Sequence, residues 1–344
     1  MSKQEYNTFR NRINNEIRYA KKDYYHRLFQ NIKKDVKQTW MAINRVLNSK
    51  CNKQNLNTKS LLFNNRLYTD DSGISQAFND HFATIATKIR ETVPVQGSTD
   101  GFTQYMDNFS QPNSFFLSPV TSADVEKVIM SLKNKKAPNH MYSIQSLKFI
   151  SNLVSPLLSH LINKSFTCGK FPDCLKIARV TPIFKSGEKD KPDNYRPISI
   201  LPVLSKIYEK IVFNQLYSYL DHFELLKPSQ FGFRKNMSMS DAILNTLQYI
   251  YDNLDKGYSV VSIFLDLSKA FDCVDHEILL HKLRVYGVRG VALGWFRSYL
   301  ASRQQYVTFN NKLSERRSVD CGVPQGSIPG PLLFLIVINI FPKS

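Results

Sequence analysis

A carboxylate placed directly after an apolar run is the first feature of the sequence that could do chemistry. The run from Val260 to Leu265 is mostly β-branched or apolar, and Asp266 follows it at once. A run this short and this rich in β-branched residues predicts a buried strand. An acid at the end of such a strand is held rigidly and can face a cleft. The alternative is an acid that only caps the strand.

Two basic residues flank the turn of a predicted β-hairpin. ARVTPIFK indicates a short strand that ends at Lys185, and after a polar turn a second strand, RPISILPV, opens with Arg196. A lysine and an arginine so placed can hold one polyphosphate, the lysine as a point charge and the arginine as a fork. Two surface charges beside a loop would give the same pattern.

A glycine- and proline-rich turn before the last predicted helix is the third candidate. Gly322-Val-Pro-Gln-Gly-Ser327 follows a second predicted hairpin, QQYVTF to SERRSVD, which turns at Asn310-Asn311-Lys312. Glycines let a backbone approach a ligand closely, and Gln325 supplies both a donor and an acceptor. Ser327 suits an N-cap. A turn with no function is the alternative.

Other chemistries find little support. The five cysteines include no C-x-x-C pair, which argues against a zinc site and a disulfide framework. HEILLH separates His276 and His281 by five residues, so the two imidazoles would lie on different faces of a helix. The longest apolar run, Pro331 to Phe341, is too short to span a bilayer.

The charge of the chain points to a polyanionic partner. Its 344 residues carry 46 Lys+Arg against 28 Asp+Glu, a formal net charge of +18. Nucleic acid is the first partner to expect, ahead of an anionic membrane surface or mere solubility. Residues 1–50 alone carry 12 basic and 4 acidic side chains. An apolar stripe from Ile13 to Val36 predicts a basic helix there, which either lies along phosphates or presents a solvated face.

Helical patterns account for much of the remaining chain. They are predicted around Phe78–Ile89, after a possible cap at Thr121, up to Phe166 with an interruption at Pro156, and over 204–220, 240–254 and 277–285. Residues 48–72 and 94–120 are predicted to be irregular connections. Asp275 is a candidate N-cap of the helix at 277–285.

Four ordered blocks, ARVTPIFK, NYRPISIL, FLDLSKAFDCVDH and GVPQGSIPGPLLFL, together with QFGFR between them, resemble the reverse transcriptases of non-LTR retrotransposons of the jockey-like kind. The resemblance is clear from about Arg179 to Leu335. It implies an α+β, right-hand polymerase with fingers of helices and a hairpin, and a palm built as an antiparallel sheet backed by helices. The implied boundaries are a basic helical extension over 1–50, a linker with one amphipathic helix over 51–118, a fingers-like part over 119–235 and a partial palm over 236–344.

The same resemblance implies roles for single residues. Asp266 would bind both catalytic Mg²⁺ ions, and the carbonyl of Leu267 would complete one coordination shell. Phe271 would lie under the incoming sugar and exclude ribonucleotides. Lys185 and Arg196 would hold the triphosphate. The turn against the nucleotide and template matches three residues: Pro324, Gln325 and Gly326. The implied partners are an RNA template, a DNA primer and a dNTP.

The departures from the family pattern set the last expectations. The family's aromatic-x-Asp-Asp turn and thumb are expected to be missing, because the sequence ends at Ser344. One carboxylate cannot hold two Mg²⁺ ions about 4 Å apart against their repulsion. The two-ion site is therefore expected to be incomplete and the chain inactive as a polymerase. The alternative is a basic nucleic-acid-binding remnant without chemistry. The cysteines and the lack of a visible leader suggest a cytoplasmic or nuclear protein.

Overall fold

The fold mixes helices with β-sheets, as the α+β prediction requires. It was obtained as a computed structural model, which describes residues 3–31, 38–40, 42–43, 58–92, 110–134 and 143–339. The chain divides into two compact units, Met1–Asn57 and Thr58–Ser344.

The helices and strands of the described residues are numbered here in chain order. The helices are α1 (Lys3–Asn31), α2 (Asp71–Thr92), α3 (Ser122–Ser131), α4 (Ile144–Phe149), α5 (Ser151–Cys168), α6 (Val203–His222), α7 (Met239–Leu254), α8 (His276–Val285), α9 (Gly290–Leu300) and α10 (Gly330–Ile338). The strands are β1 (Leu61–Phe63), β2 (Arg66–Tyr68), β3 (Ile177–Phe184), β4 (Tyr195–Ile200), β5 (Arg303–Phe309), β6 (Lys312–Leu313) and β7 (Arg317–Val319).

The first unit contains α1, the predicted basic helix. Its apolar side chains are exposed along much of its length: the exposed fraction is 45% for Ile13, 47% for Ile17 and 57% for Tyr24. The end of the predicted stripe, at Val36, lies outside the described residues. Within its own unit, α1 therefore presents both its apolar stripe and its basic side chains to the surroundings.

The main sheet of the second unit is mixed, not wholly antiparallel. Its order is β4-β3-β5-β6, and β7 also pairs with β5. The predicted hairpin β3–β4 is antiparallel, with Phe184 opposite Tyr195. However, β3 runs parallel to β5, with Ile177 opposite Gln304. This parallel pair joins β5 to a strand outside 236–344, the range predicted to be palm, and a long, largely helical crossover between β3 and β5 can return a strand in the same direction. Within 236–344, β5 pairs antiparallel with β6 and with β7.

Helix α2 covers one face of this sheet. Phe78 packs edge-on against Tyr195 of β4 at a centroid distance of 4.8 Å and also meets Phe309 of β5 at 5.9 Å. Gln305 of β5 donates to Asn79 of α2 at 3.1 Å. The amphipathic helix predicted in this region is therefore confirmed. The irregular linker predicted over 48–72 is wrong where it is described, because β1 and β2 form a hairpin there and Leu61 is fully buried.

The helical core lies around α5, α6, α8, α9 and α10. Trp295 of α9 is fully buried, stacks on Tyr299 with ring centroids 5.6 Å apart, and donates to Ser165 of α5 at 3.0 Å. Phe171 meets both rings edge-on. These contacts fix α9 against α5 and thereby the start of β5, which follows α9 directly.

The predicted strand Val260–Leu265 is wrong. These residues belong to no strand, and those after Val260 are exposed: the exposed fraction of the side chain is 85% for Val261, 91% for Phe264 and 87% for Leu265. The apolar run has strand propensity, but propensity depends on pairing and packing, and no strand among the described residues pairs with the run. Asp266 consequently lies on an exposed segment outside any helix or strand, not at the end of a buried strand.

Most other local predictions are confirmed. Thr121 and Asp124 form a capping box at the start of α3, and Asp275 caps α8 by accepting from two backbone N–H groups. The predicted interruption at Pro156 is misplaced, since Pro156 lies inside α5 and the break between α4 and α5 is at Ile150. Among the described helices, none has both the length and the apolar character needed to cross a membrane.

Candidate functional site

Two turns that are distant in sequence meet beside β4. The first is the turn after Asp266, residues 268–273, and the second is the Gly322–Gly326 turn. Backbone hydrogen bonds join them from Gly322 to Val274 at 2.8 Å and from Val323 to Phe271 at 2.9 Å. Ser199 of β4 donates to the carbonyl of Gln325 at 2.9 Å. We call this three-way contact the turn junction.

The centre of the turn junction is a side-chain pair, Asp272 and Gln325. The Gln325 amide donates to both carboxylate oxygens of Asp272, at 2.9 and 2.7 Å. Burial raises the pKa of Asp272, while the hydrogen bond from Gln325 and the charge of Lys269 act in the opposite direction. Asp272 therefore fixes the orientation of Gln325.

The turn junction also explains why two glycines occur in the second turn. A Cβ on Gly322 would lie 2.6 Å from the carbonyl oxygen of Asp272, and a Cβ on Gly326 would lie 2.4 Å from that of Ser199. Both glycines also have positive φ, +83° and +135°, which L side chains rarely adopt. The close approach that the sequence suggested for a ligand is here used by the protein's own backbone.

Phe271 belongs to a small aromatic cluster. Its ring stacks on Phe334 of α10 with centroids 4.9 Å apart and meets Phe233 edge-on at 5.7 Å. Phe271 is half-buried, and Phe233 keeps 56% of its surface exposed. The cluster fixes the Phe271 ring and leaves part of the aromatic surface open to a ligand.

A buried glutamate that the sequence analysis did not single out binds the backbone just after the second turn. Glu209 of α6 is fully buried and accepts from the backbone N–H of Ile328 at 3.0 Å. Ser205 and Tyr299 donate to its other oxygen, both at 3.1 Å. Burial raises the pKa of Glu209 against the effect of these donors and of Arg303. A lone glutamate in a helical pattern gives no sequence signal for this role.

The two predicted phosphate-binding cations lie on the β3–β4 hairpin. Arg196 is exposed on β4, opposite Ile183, and the backbone N–H of Lys185 donates to the carbonyl of Asn194 at 2.8 Å, which extends the ladder by one step. Residues 185 and 196 therefore stand on the same face of the ladder as diagonal neighbours, within reach for long side chains. Both side chains are exposed.

The turn after Asp266 also contacts this hairpin. Lys269 has a positive φ of 51° and donates from Nζ to the carbonyl of Asp193 at 3.3 Å. Asp266 and Leu267 precede this turn, and both are exposed. The structure thus brings Phe271, Gln325 and Gly326 together in the turn junction, while Asp266 is tied to the site only through the turn that follows it.

The described residues do not supply a two-ion magnesium site. Asp266 and the carbonyl of Leu267 are the ligands expected from the sequence. Within the ranges that the structure describes, no group of three or more His, Cys, Asp or Glu side chains is placed to hold a metal ion. One carboxylate with one carbonyl is too small a set of hard oxygen ligands for two Mg²⁺ ions.

Comparison with known proteins gives a consistent family match. Residues 185–344 match the family described as reverse transcriptase (RNA-dependent DNA polymerase). The matched range includes Lys185, β4, the segment of Asp266 and the turn junction.

Curated relatives agree with this match. The probable RNA-directed DNA polymerase from transposon BS of Drosophila melanogaster is 30% identical over 249 residues, covering 70% of this chain and 27% of that protein. The RNA-directed DNA polymerase from mobile element jockey of the same species is 30% identical over 228 residues, 66% of this chain and 25% of that protein. The chain thus spans about a quarter of the length of these relatives.

Proposed function

Because residues 185–344 carry a reverse transcriptase domain similar to those of non-LTR retrotransposon RNA-directed DNA polymerases, we propose that the turn junction and the β3–β4 hairpin form the nucleotide and template site of such an enzyme. The proposed partners are an RNA template, a DNA primer and a dNTP. The proposed architecture is a fingers-like part over 119–235 and a partial palm over 236–344.

The observation that carries this proposal is the turn junction. Backbone hydrogen bonds of 2.8 to 2.9 Å join the block of Asp266 to the block of Gln325, and a further one of 2.9 Å joins Gln325 to Ser199 of β4, which lies in a third block. In this proposal Lys185 and Arg196 bind the triphosphate, and Phe271 lies under the sugar. The turn formed by Pro324, Gln325 and Gly326 contacts the nucleotide and the template, with Gln325 oriented by Asp272.

We propose ligands for Mg²⁺ but not a complete two-ion site. Reverse transcriptases generally use divalent metal ions, which activate the primer hydroxyl and stabilise charge on the leaving pyrophosphate. In the proposal, Asp266 and the carbonyl of Leu267 contribute ligands. Since the described residues do not complete a two-ion site, we propose that this 344-residue chain does not polymerise by itself.

Primer extension tests this proposal directly. The full chain is incubated with an RNA template, an annealed DNA primer, Mg²⁺ and dNTPs, beside an Asp266→Ala variant as the control. We expect no extension above that control. Extension that depends on Asp266 would contradict the proposed inactivity and support the assignment of Asp266. Extension equal in both proteins would indicate a contaminating polymerase.

The exposed basic helix α1 favours a second candidate, a nucleic-acid-binding protein without chemistry. Basic side chains on α1 alternate with exposed aromatic rings such as Tyr19 and Tyr24, of which 70% and 57% of the surface is exposed. Rings of this kind can stack on bases while the cations contact phosphates. This candidate predicts salt-sensitive binding of RNA or DNA that survives Asp266→Ala and weakens when residues 1–50 are removed.

A further inference from the structure

An open pocket beside the turn after Asp266 collects three lysines from three parts of the chain. Lys88 comes from α2, Lys191 from the turn before β4 and Lys269 from the turn that follows Asp266. Lys191 pairs with Glu188 at 2.7 Å, so its charge is compensated locally. The other two ammonium groups have different surroundings.

Lys88 and Lys269 contact neutral oxygens instead of carboxylates. Lys88 Nζ lies 3.4 Å from Oδ1 of Asn64 and 5.0 Å from the centroid of the Phe63 ring. Lys269 Nζ donates to the backbone carbonyl of Asp193 at 3.3 Å. The acceptors in these hydrogen bonds are neutral and do not cancel the ammonium charges, although the charge of Lys269 also acts on the carboxylate of Asp272.

A buried imidazole, that of His81, also lines this pocket. His81 of α2 is 5% exposed, and its Nε2 lies 3.5 Å from Oδ1 of Asp193 without hydrogen-bond geometry. The pKa of His81 is lowered to about 4, chiefly by burial; Asp193 acts to raise it, and Lys269 and Lys88 act to lower it. Lys88, Lys269 and His81 all line this one pocket, so an anion bound there would lie between groups from α2 and from the turn after Asp266.

We propose that Lys88 and Lys269 together bind one phosphate group in the backbone of a nucleic-acid strand. A lysine ammonium binds phosphate as a point charge, and an anion shared by two ammonium groups removes the repulsion between them. The carboxylate of Asp193 opposes this attraction, but its side chain is 71% exposed and therefore well screened by water.

The choice of a strand, not a free nucleotide, follows from the position of the pocket. It lies on the α2 side of the turn after Asp266 and includes Asn64 and Ile89. Lys185 and Arg196, the cations proposed for the triphosphate, are not in its lining. Lys88 also precedes the 185–344 family match, so the site extends the proposed function with a residue from outside that match. The nature of the strand rests on the proposed function, whereas the phosphate contact does not.

Salt-dependent binding of the full chain tests the inference. Fluorescein-labelled single-stranded RNA is titrated with wild type, Lys88→Gln, Lys269→Gln and the double variant at several KCl concentrations. Each single variant should reduce the slope of log K against log salt by about 0.7, the contribution of one neutralised phosphate on a single strand. The double variant should show no further reduction, because both lysines share that phosphate.

Matched variants separate this site from general electrostatics. The control Lys133→Gln/Lys164→Gln removes the same charge from two exposed lysines outside the pocket and should leave the slope unchanged. Lys88→Arg/Lys269→Arg should retain binding, because both charges are kept, and unchanged fluorescence of the buried Trp295 in the glutamine variants excludes misfolding. An equal loss in the control, a loss in the arginine variant, or additive losses in the pocket variants would overturn the inference.

Two further arms identify the source of the phosphate. A labelled dNTP titrated in the same way should bind equally to wild type and the double variant; a loss confined to the dNTP would overturn the assignment to a strand. The RNA titrations require no chemistry at the polymerase site, so a failure of the polymerase proposal leaves this test intact. Absence of RNA binding by wild type would refute the inference outright.

Discussion

The pair formed by Asp272 and Gln325 allows a test of what holds the turn junction together. Two effects compete at this carboxylate. Burial disfavours its charge, and the two hydrogen bonds from Gln325, at 2.9 and 2.7 Å, favour it. Burial is the larger effect, so the pKa of Asp272 lies above its ordinary value of 3.8. We predict that Asp272→Asn changes the stability of the protein in a pH-dependent way.

The sign follows from proton linkage. When an acid has a higher pKa in the folded chain than in the unfolded chain, the folded state holds the proton more tightly. The free energy of unfolding then decreases as the pH rises through the interval between the two pKa values. Asparagine cannot ionise and has no such decrease. The stability of the variant relative to wild type should therefore improve as the pH rises above 3.8, the ordinary pKa of the carboxyl group.

The magnitude can be measured with a double-mutant cycle. Hydrogen bonds to a charged group are worth about 1.5–3 kcal/mol, so Asp272→Ala and Gln325→Ala should show a coupling of about that size at neutral pH. Near pH 3 the pair is neutral, and the coupling should decrease to about 1 kcal/mol. Both values assume that the rest of the turn junction is retained in each variant.

Urea unfolding monitored by tryptophan fluorescence is a suitable assay. Trp295 is fully buried in the second unit, and a Trp40→Phe background leaves it as the single tryptophan. The exposed Asp221→Asn serves as the control for loss of an ordinary carboxylate. If wild type instead gains stability over Asp272→Asn as the pH rises, the hydrogen bonds outweigh burial and the reasoning is wrong.

Three other substitutions test separate parts of the fold. Gly326→Ala should cost more than Gly257→Ala, because both positions have positive φ but only Gly326 would bring a Cβ to 2.4 Å from the backbone of β4; strain of this kind costs about 1–3 kcal/mol, and thermal unfolding measures the difference. Ser238→Ala should lower stability by about 1 kcal/mol through loss of the capping box of α7, whereas Ser240→Ala, inside the helix, should have little effect in the same assay. Glu209→Leu should cost about 1–3 kcal/mol, since it leaves the N–H of Ile328 and the hydroxyls of Ser205 and Tyr299 without their acceptor; an unchanged urea midpoint would contradict the role given to Glu209.

Local signals predicted much of the fold. The hairpin β3–β4, the cap at Asp275 and the capping box at Thr121 depend on residues that are close in sequence, and all three are confirmed. The short hairpin β1–β2 was missed because each strand has three residues, too few for a clear alternation. Its turn at Asn64 and Asn65, with φ of 50° and 59°, was the available signal.

The candidate site was less predictable because its contacts are long-range. The sequence suggested Gln325 and Phe271, but not that Asp272 would orient the glutamine. Glu209 and Lys88 gave no signal, since each acts through residues more than 100 positions away. The strand predicted before Asp266 failed for a related reason, because an apolar run specifies strand propensity but not a pairing partner.

The parts of the site differ in what holds them, and this difference governs how substitutions combine. In the turn junction, three backbone hydrogen bonds and the side chain of Asp272 connect the same few residues. A change at one of them shifts the others, so effects there should not be additive. Asp266 lies on an exposed segment and has no side-chain partner of this kind among the hydrogen bonds and ion pairs that the structure describes. Its substitution should therefore change the charge at that point while leaving the turn junction intact, which is why Asp266→Ala is the appropriate control for activity and for RNA binding.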